Sequence, residues 1–246
     1  MNRDEHNLED VDLIKQLKAE SELKTKWLSL IAHDFKGLFS NISMLLAAYE
    51  TESISQETLL SMLPEIKQIA DKNSKTLEST FAWVNTQIDG FNPIIEEIDV
   101  YSLFLTLKED LKAEIDLKEI SLEYVGEKDL KFFSDKFLLT FILKQTIGNA
   151  IKYSYEGGEV RMIVSKASEG CTILIEDYGM GMNKRVQENL YTLNGCPYLG
   201  SMNEKGAGLS LVVIKDFVEK LGAKMDVSST IGEGTTVKFI FRENKI

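Results

Sequence analysis

The feature that most constrains the fold is a seven-residue repeat of apolar positions in the first ninety residues. A first run advances by alternating steps of three and four, at Leu28, Ile31, Phe35, Leu38, Ile42, Leu45 and Tyr49. A second run has similar spacing, at Leu59, Leu63, Ile66, Ala70, Asn73, Leu77, Phe81, Val84 and Ile88. Such spacing is typical of helices that pack along a heptad seam. Two long helices are therefore predicted, and Pro64 is expected to kink the second or delay its regular part.

The two runs predict an antiparallel helical hairpin. Residues 51–55 interrupt the repeat, and Ser55 is a suitable N-cap for the second helix. A single hairpin cannot bury both apolar stripes, whereas two copies can pair as a four-helix bundle. We therefore expect residues 1–90 to form a homodimer through this hairpin.

The breaker-rich segment Asp89–Pro93 separates the hairpin from a second predicted domain, residues 91–246. There the pattern predicts strands at 94–100, 120–125, 131–133, 160–167, 172–177, 225–228 and 235–241. It predicts helices at 101–117, 135–153, 188–193 and 208–221. Because these elements do not alternate strictly, we expect an α+β fold with one mostly antiparallel sheet and helices on a single face.

Composition restricts the partners and the location. The net charge of −11 argues against a nucleic-acid or anionic-membrane surface. No run approaches the ~18 apolar residues that span a bilayer, and the N-terminus lacks a signal-peptide core. Two cysteines are too few for a disulfide framework. These observations favour a cytoplasmic protein, or the cytosolic part of a larger membrane-bound receptor, with no membrane contact by this segment.

A glycine turn at Asp177–Met182 follows the apolar, strand-like run Cys171–Glu176. Glycines 179 and 181 lack a Cβ, so the backbone can approach a ligand closely. Asp177 could accept a hydrogen bond from the exocyclic amine of adenine. Alternatively, it only forms the turn before the first glycine.

Two further segments have residues suited to phosphate. Asn149 offers an amide oxygen for Mg²⁺, and Lys152 beside Tyr153 offers a positive charge. Gly206 and Gly208 open a predicted helix whose free N–H groups suit a polyphosphate. The alternative reading is a fraying helix end in the first segment and a flexible loop with an N-cap in the second.

His33 is one of only two histidines, and it falls at the heptad position farthest from the predicted seam. It should therefore face solvent. A neutral imidazole is a nucleophile, and the carboxylate of Asp34 could orient it. An exposed histidine usually has no function, so a phosphoacceptor role depends on a phosphate donor elsewhere in the chain.

Five motifs in this order resemble the transmitter region of two-component sensor histidine kinases. They are His33–Lys36, Asn149–Ser154, Asp177–Gly181, Gly206–Leu211 and Gly232–Thr236. The resemblance covers nearly the whole chain. It implies a dimerisation and histidine-phosphotransfer domain in residues 1–90. It also implies a Bergerat-type ATP-binding α/β sandwich in residues 91–246.

The resemblance implies a role for each of these residues. It makes His33 the phosphoacceptor and Asp34 its acid/base partner. The nucleotide-binding residues it implies are Asn149, Lys152, Tyr153, Asp177, Gly179, Gly181, Gly206, Gly208 and Thr235, with Asn149 and Gln145 as Mg²⁺ ligands. It further implies ATP and Mg²⁺ as cofactors, a second copy as partner, and a response-regulator receiver domain whose aspartate takes the phosphoryl group.

Some positions depart from the family pattern. Gln145 replaces a usual asparagine, Ser210 replaces the third glycine of the last glycine motif, and Gly37 with Leu38 replace Thr or Asn followed by Pro. Losing the polar residue after His33 predicts weak phosphatase activity. Two other functions stay open. One is a serine kinase or ATPase of the same superfamily, and the other is a scaffold that binds nucleotide without strong catalysis.

Overall fold

The computed structural model describes residues 25, 29, 32, 35–37, 39–87, 91–167, 170–190, 200–201 and 210–242. The chain divides into two compact units, Met1–Asn85 and Thr86–Ile246, and each is described by itself. No helix in the described ranges is long and apolar enough to cross a membrane.

The first unit contains two helices joined by a short turn. Helix α1 is described at residues 35–37 and 39–50, and helix α2 is Gln56–Thr86. Ser55 caps α2 as predicted, because its Oγ accepts a hydrogen bond from the Thr58 amide at 3.1 Å. Helix α2 continues through Pro64, so the start of its regular part is not delayed.

Within this chain the predicted seam of α2 is covered only in part, since Asn73 is buried and four of its other described members are half-buried. Leu63, Phe81 and Val84 are 47%, 60% and 43% exposed. The buried stripe of the same helix consists mainly of polar residues, namely Asn73, Thr76, Ser79, Thr80, Ala82, Trp83 and Thr86. A helix of this length has more than one face, and the heptad pattern does not say which face a single chain covers. The homodimer stays a prediction.

The second unit has seven strands and five helices in the described residues. The strands are β1 (Ile95–Asp99), β2 (Ser121–Val125), β3 (Lys131–Asp135), β4 (Glu159–Ala167), β5 (Gly170–Asp177), β6 (Lys224–Thr230) and β7 (Gly234–Arg242). The helices are α3 (Val100–Asp110), α4 (Lys112–Leu117), α5 (Lys136–Tyr153), α6 (Lys184–Glu188) and α7 (Ser210–Lys220). The α+β prediction is confirmed.

The prediction of a single sheet is wrong. Five strands form one sheet in the order β2-β4-β5-β7-β6, antiparallel except for the parallel pair β2–β4. Strands β1 and β3 form a separate antiparallel pair. Asp135 holds this pair at the start of α5, since its carboxylate accepts from the amides of Leu138 at 2.8 Å and Ile94 at 2.7 Å.

Two predicted helices also change. The stretch predicted as one helix over 101–117 is two helices, α3 and α4, separated at Leu111. Of the short helix predicted at 188–193, residues 188–190 are described, and only Glu188 is helical, as the last residue of α6. Helix α6 begins at Lys184 because the Asn183 side chain accepts from the Val186 amide at 2.9 Å and so provides the N-cap.

The core of the second unit lies between the five-stranded sheet and helices α5 and α7. Strand β5 alternates in burial, with Cys171, Ile173 and Ile175 facing inward. Helix α5 contributes buried residues along its length, and α7 contributes Val213, Ile214, Phe217 and Val218. The inward face of β5 ends at Asp177, which places a carboxylate at the edge of an apolar core.

Candidate functional site

Three polar side chains form a row across the end of the five-stranded sheet. Asp177 on β5 is the cross-strand partner of Thr235 on β7, and Thr235 is the partner of Ser229 on β6. Cross-strand partners project from the same face of a sheet. By the alternation of each strand, this is the face that carries the buried residues Ile175 and Val237 and the half-buried Val227.

Asp177 is buried, with 7% of its surface exposed. Its Oδ1 accepts a hydrogen bond from the Gly179 amide at 3.0 Å. Burial raises the pKa of Asp177 from 3.8 to about 6, and the amides of Gly179 and Thr235 oppose that rise. A buried carboxylate whose pKa is shifted in this way is common at ligand-binding sites.

The glycine turn after Asp177 lies in close contact with two other segments, the end of α5 and the end of β6. A Cβ on Gly179 would lie 2.1 Å from the Tyr153 carbonyl oxygen at the end of α5. A Cβ on Gly181 would lie 1.9 Å from the Thr230 carbonyl oxygen, and Gly181 has a φ of +61°. The Met180 amide donates to the Tyr153 carbonyl at 3.0 Å, so the turn is bonded to the helix end. Glycine is required at both positions.

Gly234 is a third close approach, and it was not among the predicted site residues. Its φ is +112°, and a Cβ there would lie 1.9 Å from the Asp177 carbonyl oxygen. The motif Gly232–Thr236 contained the signal, because its second glycine directly precedes Thr235. Gly234 therefore lets β7 approach the backbone of Asp177.

Three half-buried polar residues lie along one side of helix α5, next to the face that packs in the core. Gln145, Asn149 and Lys152 are spaced by four and three residues, so they lie on one side of the helix. The Lys152 ammonium lies 4.9 Å from the centroid of the Tyr153 ring. The stripe thus carries two amide groups and one cation, and it leads to the helix end that the glycine turn contacts.

These amides suit a metal ion that arrives with its own ligands. Among the described residues, no group of three or more His, Cys, Asp or Glu side chains could hold a metal. Mg²⁺ commonly takes few protein oxygens and keeps waters and phosphates. The neutral oxygens of Gln145 and Asn149 fit that mode of binding and do not fit a cage made only of protein groups.

Lys118 was missed by the sequence analysis, although it organises the end of α5. It is buried, with 2% of its surface exposed. Its ammonium donates to the carbonyls of Ile151 at 3.2 Å and Ser154 at 3.4 Å, and also to the Lys152 carbonyl. It further donates to the Ser201 hydroxyl at 2.8 Å. A cation at carbonyls that the helix leaves unpaired caps its negative end.

The structure brings part of the predicted site together. The Asp177–Met182 turn, the end of α5 at Lys152 and Tyr153, and Thr235 adjoin one another, and Gln145 and Asn149 lie farther along the same helix. His33, Asp34, Leu38, Gly206 and Gly208 lie outside the described residues. Gly37 is described and exposed, with open space where a Cβ would be.

Comparison with known proteins finds a family match for most of the second unit. Residues 134–245 match the family of histidine kinase-, DNA gyrase B- and HSP90-like ATPases. The sensor histidine kinase YvrG of Bacillus subtilis is 23% identical, over 99% of this chain and 41% of its own length.

Two solved structures share the fold. The histidine kinase AdeS of Acinetobacter baumannii superposes with a TM-score of 0.67 at 16% identity, covering 87% of this chain and 98% of that one. Histidine kinase ThkA in complex with response regulator protein TrrA gives a TM-score of 0.65 at 14% identity, covering 96% of this chain and 64% of that one.

The chain spans about two fifths of the length of the first curated relatives it matches. YvrG nevertheless aligns along 99% of this chain, and the ATPase-family match includes the polar row, the glycine turn and helix α5. These similarities relate the chain to sensor histidine kinases, with the ATPase-family match covering residues 134–245.

Proposed function

We propose that this chain binds Mg·ATP in its second unit, phosphorylates His33 with it, and passes the phosphoryl group to an aspartate of a response-regulator receiver domain. The observation that carries the proposal is the junction of the Asp177–Thr235 pair, the glycine turn and the end of α5. The buried Asp177 carboxylate and the half-buried Thr235 hydroxyl lie there, beside a helix stripe suited to phosphates and their metal. The ATPase-family match over residues 134–245 supports ATP as the nucleotide.

In this proposal the base lies at the polar row. The Asp177 carboxylate accepts a hydrogen bond from the exocyclic amine of adenine, and Thr235 helps to hold the base. Gly179 and Gly181 keep the backbone close enough to form that corner. A carboxylate has about four lone-pair sites, so Asp177 can accept from the amine in addition to the amides of Gly179 and Thr235.

The triphosphate extends along α5. Lys152 and Tyr153 lie near the phosphates, and Gly206 with Gly208 take their roles from sequence similarity alone. Asn149 and Gln145 would hold Mg²⁺, which would supply positive charge to neutralise the transferred phosphoryl group. His33 attacks that group through a ring nitrogen while Asp34 handles the proton. A P–N bond forms, the bond to the bridging oxygen breaks, and ADP leaves.

The remaining partners follow from the first unit and from the relatives. The exposed side chains of Leu63, Phe81 and Val84 support pairing with a second copy. ThkA is seen in complex with response regulator TrrA, which supports a receiver domain as the phosphoryl acceptor here. A cytoplasmic location is consistent with ATP and a receiver domain as the two reactants. Gly37 and Leu38 stand where the family pattern has Thr or Asn followed by Pro, and the loss of that polar residue favours kinase over phosphatase activity.

The test is incubation of the chain with Mg²⁺ and ATP labelled on the γ-phosphate. Base-stable, acid-labile label is expected on the wild type and is expected to vanish in His33→Gln. His6→Gln is the matched control, because His6 is the only other histidine, and it should keep the label.

Other outcomes identify the competing functions. Acid-stable label that persists in His33→Gln would indicate a serine kinase. ATP hydrolysis without any label would indicate an ATPase, and ATP binding with neither label nor hydrolysis would indicate a scaffold. Each of these results contradicts the proposal.

A further inference from the structure

Ser229, the third member of the polar row, makes three hydrogen bonds through its one hydroxyl group. The Met182 amide, at the end of the glycine turn, donates to the Ser229 Oγ at 2.8 Å. The same hydroxyl donates to the Gly234 carbonyl at 2.9 Å. Its third neighbour is the Thr235 hydroxyl, with 3.0 Å between the two oxygens. Ser229 therefore lies behind Thr235 as seen from Asp177.

The number of donors and acceptors determines the direction of the third bond. A serine hydroxyl has one proton to donate and two lone pairs to accept with. The Gly234 carbonyl can only accept, so it takes the proton. The Met182 amide can only donate, so it uses one lone pair. The second lone pair faces Thr235, and the threonine hydroxyl must therefore be the donor.

We infer that Ser229 makes Thr235 a hydrogen-bond acceptor towards the bound base, and that the site thereby selects a 6-amino purine over a 6-oxo purine. This inference rests on the proposed function, since it concerns the base bound beside Asp177. With its proton directed at Ser229, Thr235 has only lone pairs left for a ligand. The ionised carboxylate of Asp177, its cross-strand partner, is also only an acceptor.

Two adjacent hydrogen-bond acceptors favour a ligand that presents donors to them over a ligand that presents an acceptor. The exocyclic amine of adenine carries two N–H donors, which complement them. A 6-oxo purine has a carbonyl oxygen in that place and would set a third acceptor against the first two. Leaving buried polar groups without partners is an effective means of rejecting a near-isosteric ligand.

Removing the Ser229 hydroxyl should relax this selection. In Ser229→Ala, the Thr235 proton loses its acceptor and the hydroxyl can rotate to donate to a ligand carbonyl. We expect the affinity for inosine diphosphate (IDP), relative to that for ADP, to rise by about tenfold. A residue that only supported the fold would change both affinities by the same factor.

The experiment measures binding of Mg·ADP and Mg·IDP to the full chain by calorimetry. Ser229→Thr keeps the hydroxyl and should keep the wild-type ratio. Ser228→Ala is the matched control, because Ser228 is the neighbouring serine on the opposite, exposed face of β6. In a Thr235→Val background, Ser229→Ala should no longer change the ratio, since no threonine proton remains to be redirected.

The outcomes separate this inference from the function on which it rests. A wild-type chain that binds neither nucleotide overturns the proposed function and the inference with it. A wild-type chain that prefers ADP, with an unchanged ratio in Ser229→Ala, overturns the inference alone. An equal loss of both affinities in Ser229→Ala, up to complete loss, also overturns it, as does a ratio change that persists in the Thr235→Val background.

Discussion

At the scale of single residues, Asp177 destabilises the folded chain at neutral pH while it provides the carboxylate proposed to bind the base. Its carboxylate lies at the end of a buried strand face, where an apolar or amide side chain would be easier to accommodate. Burial raises its pKa to about 6 in the folded chain, against 3.8 for the ordinary side chain. The folded state therefore binds a proton more tightly than the unfolded state does, and ionising Asp177 at neutral pH weakens the fold.

The sign of this linkage gives a prediction. The stabilising effect of the protonated carboxyl is complete below pH 4 and is lost as the pH rises through about 6. Asp177→Asn keeps the shape without the charge, so it should raise the free energy of unfolding by roughly 1–3 kcal/mol at pH 8 and by about half as much at pH 5. Urea unfolding at both pH values measures this, and calorimetry should show that the variant no longer binds ATP. Glu176→Gln, on the opposite face of β5, is the control; an equal gain there would contradict the explanation.

At the scale of elements, the glycine turn and helix α5 allow a comparison of two glycines. Gly181→Ala would force a methyl group against the Thr230 carbonyl at a positive φ, so it should destabilise the chain by at least about 2 kcal/mol. Gly148 lies inside α5, where the nearest atom to an added Cβ is 3.9 Å away. Gly148→Ala should stabilise the chain by about 0.5–1 kcal/mol. Thermal unfolding of both variants checks this, and a shared sign would refute it.

Lys118 is the second prediction at this scale. Lys118→Met would leave the carbonyls at the end of α5 without their cap, so we expect a loss of roughly 2–3 kcal/mol in the free energy of unfolding. ATP affinity should fall as well, because Asn149 and Lys152 depend on the position of that helix end. Lys112→Met removes an exposed lysine from α4 and should change neither quantity. Equal effects of the two substitutions, by urea unfolding and calorimetry, would argue against a cap.

The same elements show which parts of the fold could be predicted from sequence patterns and which could not. Local residue patterns were enough to predict α5 and most strands, because those signals lie within each segment. The separate β1–β3 pair was missed because Asp135 binds both Leu138 and Ile94, a contact between distant segments. Lys118 was missed for the same reason. Its partners belong to α5 and to Ser201, and nothing in its own neighbourhood distinguishes it from a surface lysine.

At the scale of the whole molecule, the hairpin determines whether the chain acts as a single copy or a pair. The exposed apolar side chains on α2 include Leu60, Leu63, Phe81 and Val84, at 43–60% exposure. Leu60 and Phe81 are three heptads apart, as are Leu63 and Val84, so the four lie on one stripe of a helix that supercoils at 3.5 residues per turn. The stripe is apolar at its two ends, and Lys67 and Ser74 interrupt it between them. Exposed apolar clusters of this kind on a helix are typical of an interface.

The expected partner is a second copy, and substitution of the stripe tests it. Phe81→Glu would place a charge where the paired helices meet, so the mass by light scattering at micromolar concentration should fall from that of a dimer to that of a monomer. Ser61→Glu introduces the same charge at an exposed position about 200° around the helix from Leu63, and it should leave the dimer intact. A wild-type chain that is monomeric, or a Phe81→Glu chain that remains dimeric, would contradict the four-helix bundle. ATP binding should survive in Phe81→Glu, because the residues proposed for the nucleotide all belong to the second unit.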